Sequence, residues 1–145
     1  MIETIIGSML GKEFISHALS DTTKSIYAEV SYLAGYSNYN FKEILEDLDI
    51  ITKIEIITKL ICEYENYSHS TFHASHNAGL RSLVSIIEKI NNEILEIRLL
   101  IAEHEQKWLY NWRGNSYEPK IKNLIKHVTI MENRLDLFIK IINME

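Results

Sequence analysis

The residues best suited to chemistry crowd into one stretch, SHSTFHASH at residues 68–76, which holds His69, His73 and His76. The single cysteine, Cys62, lies seven residues before His69. Imidazole and thiolate are the usual zinc ligands, and a zinc site needs about four of them converging tetrahedrally. His69 and His73 are four apart and His73 and His76 three apart, so a helix through the stretch would put all three on one face. Cys62 would lie along the same stripe, about 10 Å from His69 along the axis. One straight helix does not make four ligands converge, so the chain would have to bend within its Ser-rich part. The spacing also lacks a CxxC or HExxH pattern. His69, His73, His76 and Cys62 are therefore weak metal candidates. The reading adopted for the stretch is a polar helix-to-helix connection, with Ser68, Ser70 and Ser75 offering caps and with no metal or cofactor assigned.

Two further histidines, His104 and His127, belong to a different part of the chain. A turn centred near Asn115 or Ser116 would set them opposite each other across a helical hairpin, with Glu103, Glu105 or Glu132 nearby. A polar pair in an apolar seam fixes register, and imidazole can make such a contact pH-responsive. His76 would stand roughly 42 Å from His104 along the same helix, too far to share a site. The paired Glu-x-x-His motifs of di-iron bundles are absent, and no Ser, Cys or carboxylate sits in a catalytic motif. Adjacent acids such as Glu46, Asp47 and Asp49 read as a solvated helix face. The expectation is a chain that is not an enzyme.

A second distinctive stretch is EQKWLYNWRGNSYEP, residues 105–119. Trp108, Tyr110, Trp112, Arg113 and Tyr117 are partner-binding candidates, because Trp, Tyr and Arg dominate binding hot spots. The alternative is that the two Trp close the end of a bundle over Leu124 and Pro119, with Arg113 complementing a helix C-terminus.

The elements that must position these residues read as helices throughout. Leu80, Leu83, Ile87, Ile90, Ile94, Ile97, Ile101, His104 and Trp108 alternate in steps of three and four, a coiled-coil seam. Ile121, Leu124, Val128, Met131, Leu135, Phe138 and Ile142 repeat it. With Gly114, Asn115 and Ser116 between the seams and Pro119 opening the second, residues 77–143 predict an antiparallel hairpin. Asn40 and Glu43 predict a capping box opening a third long helix over 41–66, with Phe41, Ile44, Leu48, Ile51, Ile54, Ile57, Ile61 and Tyr64 inward and a change of winding near Ile51 to Ile57.

Residues 1–35 predict a helical arm of one or two shorter pieces. Ile2, Ile5, Ile6, Met9 and Leu10 form the first stripe. A break at SDTT, residues 20–23, lets Asp21 or Thr22 cap the second, which carries Ile26, Tyr27, Val30 and Leu33. The expected fold is all-α, one domain over 1–145, with a three-long-helix bundle over 41–145.

Composition narrows the partners. The 145 residues carry 15 Lys+Arg against 20 Asp+Glu, a formal charge of −5, so the basic field that displaces counterions from nucleic acid is missing. No run reaches the roughly 18 apolar residues of a membrane span; membrane contact is at most peripheral, through residues 2–19. A lone cysteine and an opening without a positive n-region and long apolar run predict an intracellular setting. With 5 Gly and 1 Pro, few loops are available to carry an active site. Three long apolar stripes in so short a chain predict protein partners or a homo-oligomer.

Several patches together, SDTTKSIYAEVSYL (20–33), ILEDLDIITKIEII (44–57), IIEKINNEILEI (86–97), KWLYNWR (107–113) and NLIKHVTIMENRLDLF (123–138), resemble a group of small, uncharacterised helical proteins of nucleocytoplasmic large DNA viruses. The resemblance spans most of the chain, through structural rather than catalytic motifs. It implies a virion or assembly component in the virion or host cytoplasm, such as a minor capsid or cement protein. Two other expectations stand beside it: a helical-bundle metal-dependent enzyme or sensor using the His69, His73 and His76 loop, and a host-interaction factor binding a cellular helix in a groove.

Overall fold

The computed structural model describes residues 13–37, 39–67, 74–106 and 117–144. Among these the chain forms five helical segments: α1 (Glu13–Ala34), α2 (Phe41–Leu48), α3 (Ile50–Tyr67), α4 (Ala74–Gln106) and α5 (Glu118–Asn143). Buried residues from all five belong to one core, dominated by Ile and Leu.

The capping box expected at Asn40 is present. The Asn40 side chain accepts from the Glu43 amide at 3.4 Å and donates to Glu43 Oε2 at 2.6 Å. The helix it opens is not continuous. Asp49 adopts a left-handed conformation, φ 54°, and its amide closes onto Leu45 and Glu46, ending α2. The expected single helix over 41–66 is thus two, and the change in winding comes at Asp49, just before the three-residue steps that suggested it.

The SDTT break does not occur. Thr22 turns its hydroxyl back to the Ala18 carbonyl at 3.4 Å, the internal bond open to Thr inside a helix. Leu19, Thr23 and Ile26 carry a buried stripe straight through. α1 is therefore a wall of the bundle rather than an arm: it packs extensively along α4 and α3. The three-long-helix expectation becomes a four-walled bundle, with α2 and α3 sharing one wall.

Polar pairs set the directions. Ser25 donates to Asn91 at 2.9 Å and Arg98 clasps Glu29, so α1 and α4 run parallel. Lys53 pairs with Glu132, and Tyr64 packs on Phe138, so α3 and α5 also run parallel. Between α4 and α5, Glu96 pairs with Lys120 at 2.9 Å, Ser82 O accepts from Arg134 at 2.8 Å, and Gly79 abuts Phe138. The midpoint of each of these pairs falls at residue 108 to 109. The hairpin is antiparallel as expected, but its register is centred well before Asn115. Consequently His127 faces the part of α4 near Lys89 and Ile90, and His104 and His127 do not meet. The physical reason lies in the seams. Heptads of Ile and Leu look alike after every two turns, so the register is set by the Gly79 contact and the polar pairs rather than by the stripe.

Candidate functional site at the two ends of the bundle

The candidate residues the structure describes gather at opposite ends of the bundle, each beside a connection. At one end α3 finishes and α4 begins. His76, expected in a polar connection, lies in the first turn of α4 and is 4% exposed. A 2.6 Å hydrogen bond joins its Nδ1 to Tyr64 Oη. In the Nε2-protonated tautomer the phenol donates. The rings meet edge to face, centroids 5.5 Å apart, and Tyr64 packs the same way on Phe138 at 5.6 Å. Phe138 is fully buried and fits only because position 79 has no side chain: a Cβ on Gly79 would lie 2.6 Å from Phe138 Cδ1.

Cys62 is exposed and accepts a long contact from Asn66 Nδ2 at 3.9 Å. It lies two positions before Tyr64, about 200° around the helix, and so points away from the side on which Tyr64 holds His76. The structure does not bring Cys62 and His76 together. His69 and His73 lie outside the described residues, and among the described residues no group of three or more His, Cys, Asp or Glu could hold a metal ion.

At the other end the roles reverse. Tyr117, just before α5, is 3% exposed, while its partner His104 on the last turn of α4 is half-buried. His104 Nδ1 and Tyr117 Oη are 2.9 Å apart. Around Tyr117 the α1–α2 corner supplies Tyr36, Tyr39 and Phe41. Phe41 and Tyr39 each stand edge-on to Tyr117 at 5.3 Å, and Tyr39 lies 4.8 Å from Phe41. Such edge-to-face contacts use the positive rim of one ring against the negative face of the next. Tyr39 also donates to Glu118 at 3.2 Å. Burial pushes the Tyr117 hydroxyl far above the ordinary phenol range, helped by its bond to Tyr36 and by the Tyr36, Glu105 and Tyr32 charges. It therefore stays protonated, and a donor, near neutral pH. On α4 nearby, the Arg98 guanidinium lies 4.2 Å over the Tyr32 ring and clasps Glu29 with contacts of 2.6 and 2.9 Å.

Of the five partner-binding candidates, only Tyr117 is described, and its ring is enclosed by the bundle's own aromatic residues. Trp108, Tyr110, Trp112 and Arg113 lie outside the described residues. In the sequence Tyr64 reads as one seam residue among several, and Tyr36 and Tyr39 read only as part of a break between helices. The available signal was that a Tyr and a His flank each connection, twelve and thirteen residues apart.

Elsewhere, Glu93 Oε2 and His127 Nδ1, both on the α4–α5 seam, are buried with no hydrogen-bond partner among the described residues. No helix among the described residues is long and apolar enough to cross a membrane. The outward faces hold several large apolar side chains, including Ile56, Leu99, Ile125, Leu137, Ile139 and Met144.

Compared with known proteins, the chain matches no family model, no curated protein and no solved structure.

Proposed function

We propose that this chain is a non-enzymatic structural or adaptor protein acting through helix–helix contacts. The observation that carries the reading is the outer face of α5. Leu137 is 58% and Met144 84% exposed there, with half-buried Ile141 between them at helical spacing. A single exposed Leu is ordinary, but three apolar residues about one turn apart, on the flank of α5 beside buried Phe138, form the kind of stripe that an adaptor offers to another helix. The sequence resemblance gives this role its specific form, a viral minor capsid or assembly component whose partners are capsid or assembly proteins. Trp108, Tyr110, Trp112 and Arg113 are the sequence's candidates for a second contact region.

The test is a photo-crosslinking residue placed at Leu137 and, as a control, at exposed polar Glu63. For the proposed role, the Leu137 probe yields one stoichiometric protein adduct in assembling particles and the Glu63 probe does not. Equal, non-specific labelling from both positions overturns it. Presence in purified particles separates the virion role from that of a host-interaction factor. The metal-dependent enzyme or sensor remains the competing class. Stoichiometric zinc or iron in protein purified without a histidine tag would favour it.

A further inference from the structure

A second periodicity runs along the outward side of α5. Lys122, Lys126, Ile130, Asn133, Leu137, Ile141 and Met144 follow one another in steps of three and four, so they share a sector of about 100° and extend over roughly 33 Å. All are exposed except Ile130 and Ile141, which are half-buried. The stripe changes character along its length: it begins with two lysines and ends with three apolar residues, and exposed Lys140 stands at the edge of the apolar part.

The charge on this side has one sign. No carboxylate of α5 falls within the sector. Glu118 accepts from Tyr39, Glu132 pairs with Lys53, and Asp136 lies one turn beyond Glu132 on that same flank. On the adjoining side of α4, Glu96 is bonded to Lys120 and Glu93 is buried, while Lys89 is exposed. Lys122, Lys126 and Lys140 have no ion-pair partner among the described residues, in contrast with Lys53, Lys59 and Lys120. Three cations thus stand unneutralised on one side of one helix, in a chain whose formal charge is −5.

We infer that the helix docking on this side is an acidic, amphipathic one. Its apolar residues cover Leu137, Ile141 and Met144, and its carboxylates lie against Lys122, Lys126 and Lys140. The inference rests on the docking role proposed above for this side of α5 and gives the partner its chemistry. Apolar contact supplies affinity, while the segregated charge fixes which end of the partner goes where.

Two other occupants fit less well. A second α5, paired antiparallel about Asn133, would set Lys126 beside Lys140 of the other copy; paired in parallel, it would set each lysine near its own copy. An anionic bilayer takes a helix whose apolar stripe keeps one depth along its length and carries aromatic side chains. Here lysines occupy the first positions of the stripe itself, and the one Phe, Tyr or Trp of α5, Phe138, is buried.

The experiment measures fluorescence anisotropy of two helix-stabilised peptides, each about 22 residues long to match the stripe. They share an apolar half, with leucines at the stripe spacing, and carry either glutamates or lysines at the stripe positions of the other half. The glutamate peptide should bind the full-length chain at least about tenfold more tightly than the lysine peptide, and added salt should narrow the gap. Lys122→Glu with Lys126→Glu should reverse the preference, and Leu137→Asp should weaken both peptides. The two lysine changes fall at exposed positions, so the melting temperature should hold. A reversed preference is also a result that loss of folding does not produce. No saturable binding of the glutamate peptide, or equal binding of the two, overturns the inference. A dimer that Leu137→Asp dissociates, seen by light scattering, would assign this side to a second copy. Binding to phosphatidylserine vesicles that is lost in the Lys122→Glu, Lys126→Glu chain would assign it to a membrane. Either result overturns the acidic helix. The crosslink from Leu137 in particles fails separately: an adduct with a partner lacking an acidic helix keeps the docking role and removes this chemistry, and a reversed peptide preference without any adduct does the opposite.

Discussion

The two ends of the bundle use the same pair of residue types in opposite ways. At the end where α3 hands over to α4, the histidine is enclosed and Tyr64 is half-buried; at the other end Tyr117 is enclosed and His104 is half-buried. The first end is a tight fit of His76, Tyr64 and Phe138 against a glycine, whereas the second is a shell of aromatic rings with polar rims. The difference shows that a Tyr–His contact has no fixed worth. What it contributes depends on which partner would be stranded away from water if the bond were lost.

That comparison breaks most decisively at Phe138. Phe138→Ala removes a fully buried ring on which Tyr64 rests, and should cost about 3–5 kcal/mol in chemical denaturation. A loss under about 1 kcal/mol would mean that this end is not tightly packed. Gly79→Ala probes the same fit from the other side. In an open helix interior the change gains about 1 kcal/mol, but here the new methyl meets the Phe138 ring, so a net loss of about 1–3 kcal/mol is expected. A gain in melting temperature would contradict the close approach.

Tyr64→Phe and Tyr117→Phe then compare the two hydrogen bonds directly. Tyr64→Phe removes the hydroxyl bonded to a histidine that is only 4% exposed and should cost about 2 kcal/mol. Tyr117→Phe leaves half-buried His104 open to solvent and should cost about 1 kcal/mol or less. Equal losses in parallel urea titrations would erase the distinction between the ends.

The smallest expected effect is an alkaline one. The Tyr117 hydroxyl titrates higher in the folded chain than in the unfolded one, where the ordinary value is about 10. Its contribution is fully present below that value and is lost as pH rises from there towards the folded value, because only the unfolded phenol gives up its proton readily. Wild type should therefore lose melting temperature between about pH 10 and 11.5, and Tyr117→Phe should lose less over the same interval. Identical slopes would show that Tyr117 is not enclosed as described.

Much of the fold was legible because burial follows periodicity. Leu80, Leu83, Ile87, Ile90, Ile94, Ile97 and Ile101 are buried as the seam requires, as are Ile121, Leu124, Val128, Met131 and Phe138. The Asn40 cap was legible because its geometry is local. The features that escaped depend on contacts between distant residues. A stripe of Ile and Leu shows which face is inward without showing what it meets, so the turn residues alone place the hairpin register too late and set His104 against His127. The SDTT punctuation misled because Thr22 can satisfy its hydroxyl within a helix. At the candidate site, His76 was singled out for its neighbours in sequence, whereas its partner in space is Tyr64, a residue with an ordinary place in the seam.

The left-handed residue Asp49 gives the wall formed by α2 and α3 something that a single rod would lack. Phe41 and Leu45 face inward on α2, and Ile50, Ile54, Ile57 and Ile61 do so on α3. The step from Leu45 to Ile50 is one residue longer than the four that a continuous stripe would use. The joint thus resets the angular phase, in the manner of a coupling between two shafts keyed separately. Phe41 can be aligned with Tyr117 while Tyr64 is aligned with His76, and an error of fit at one end of the wall is not transmitted in full to the other.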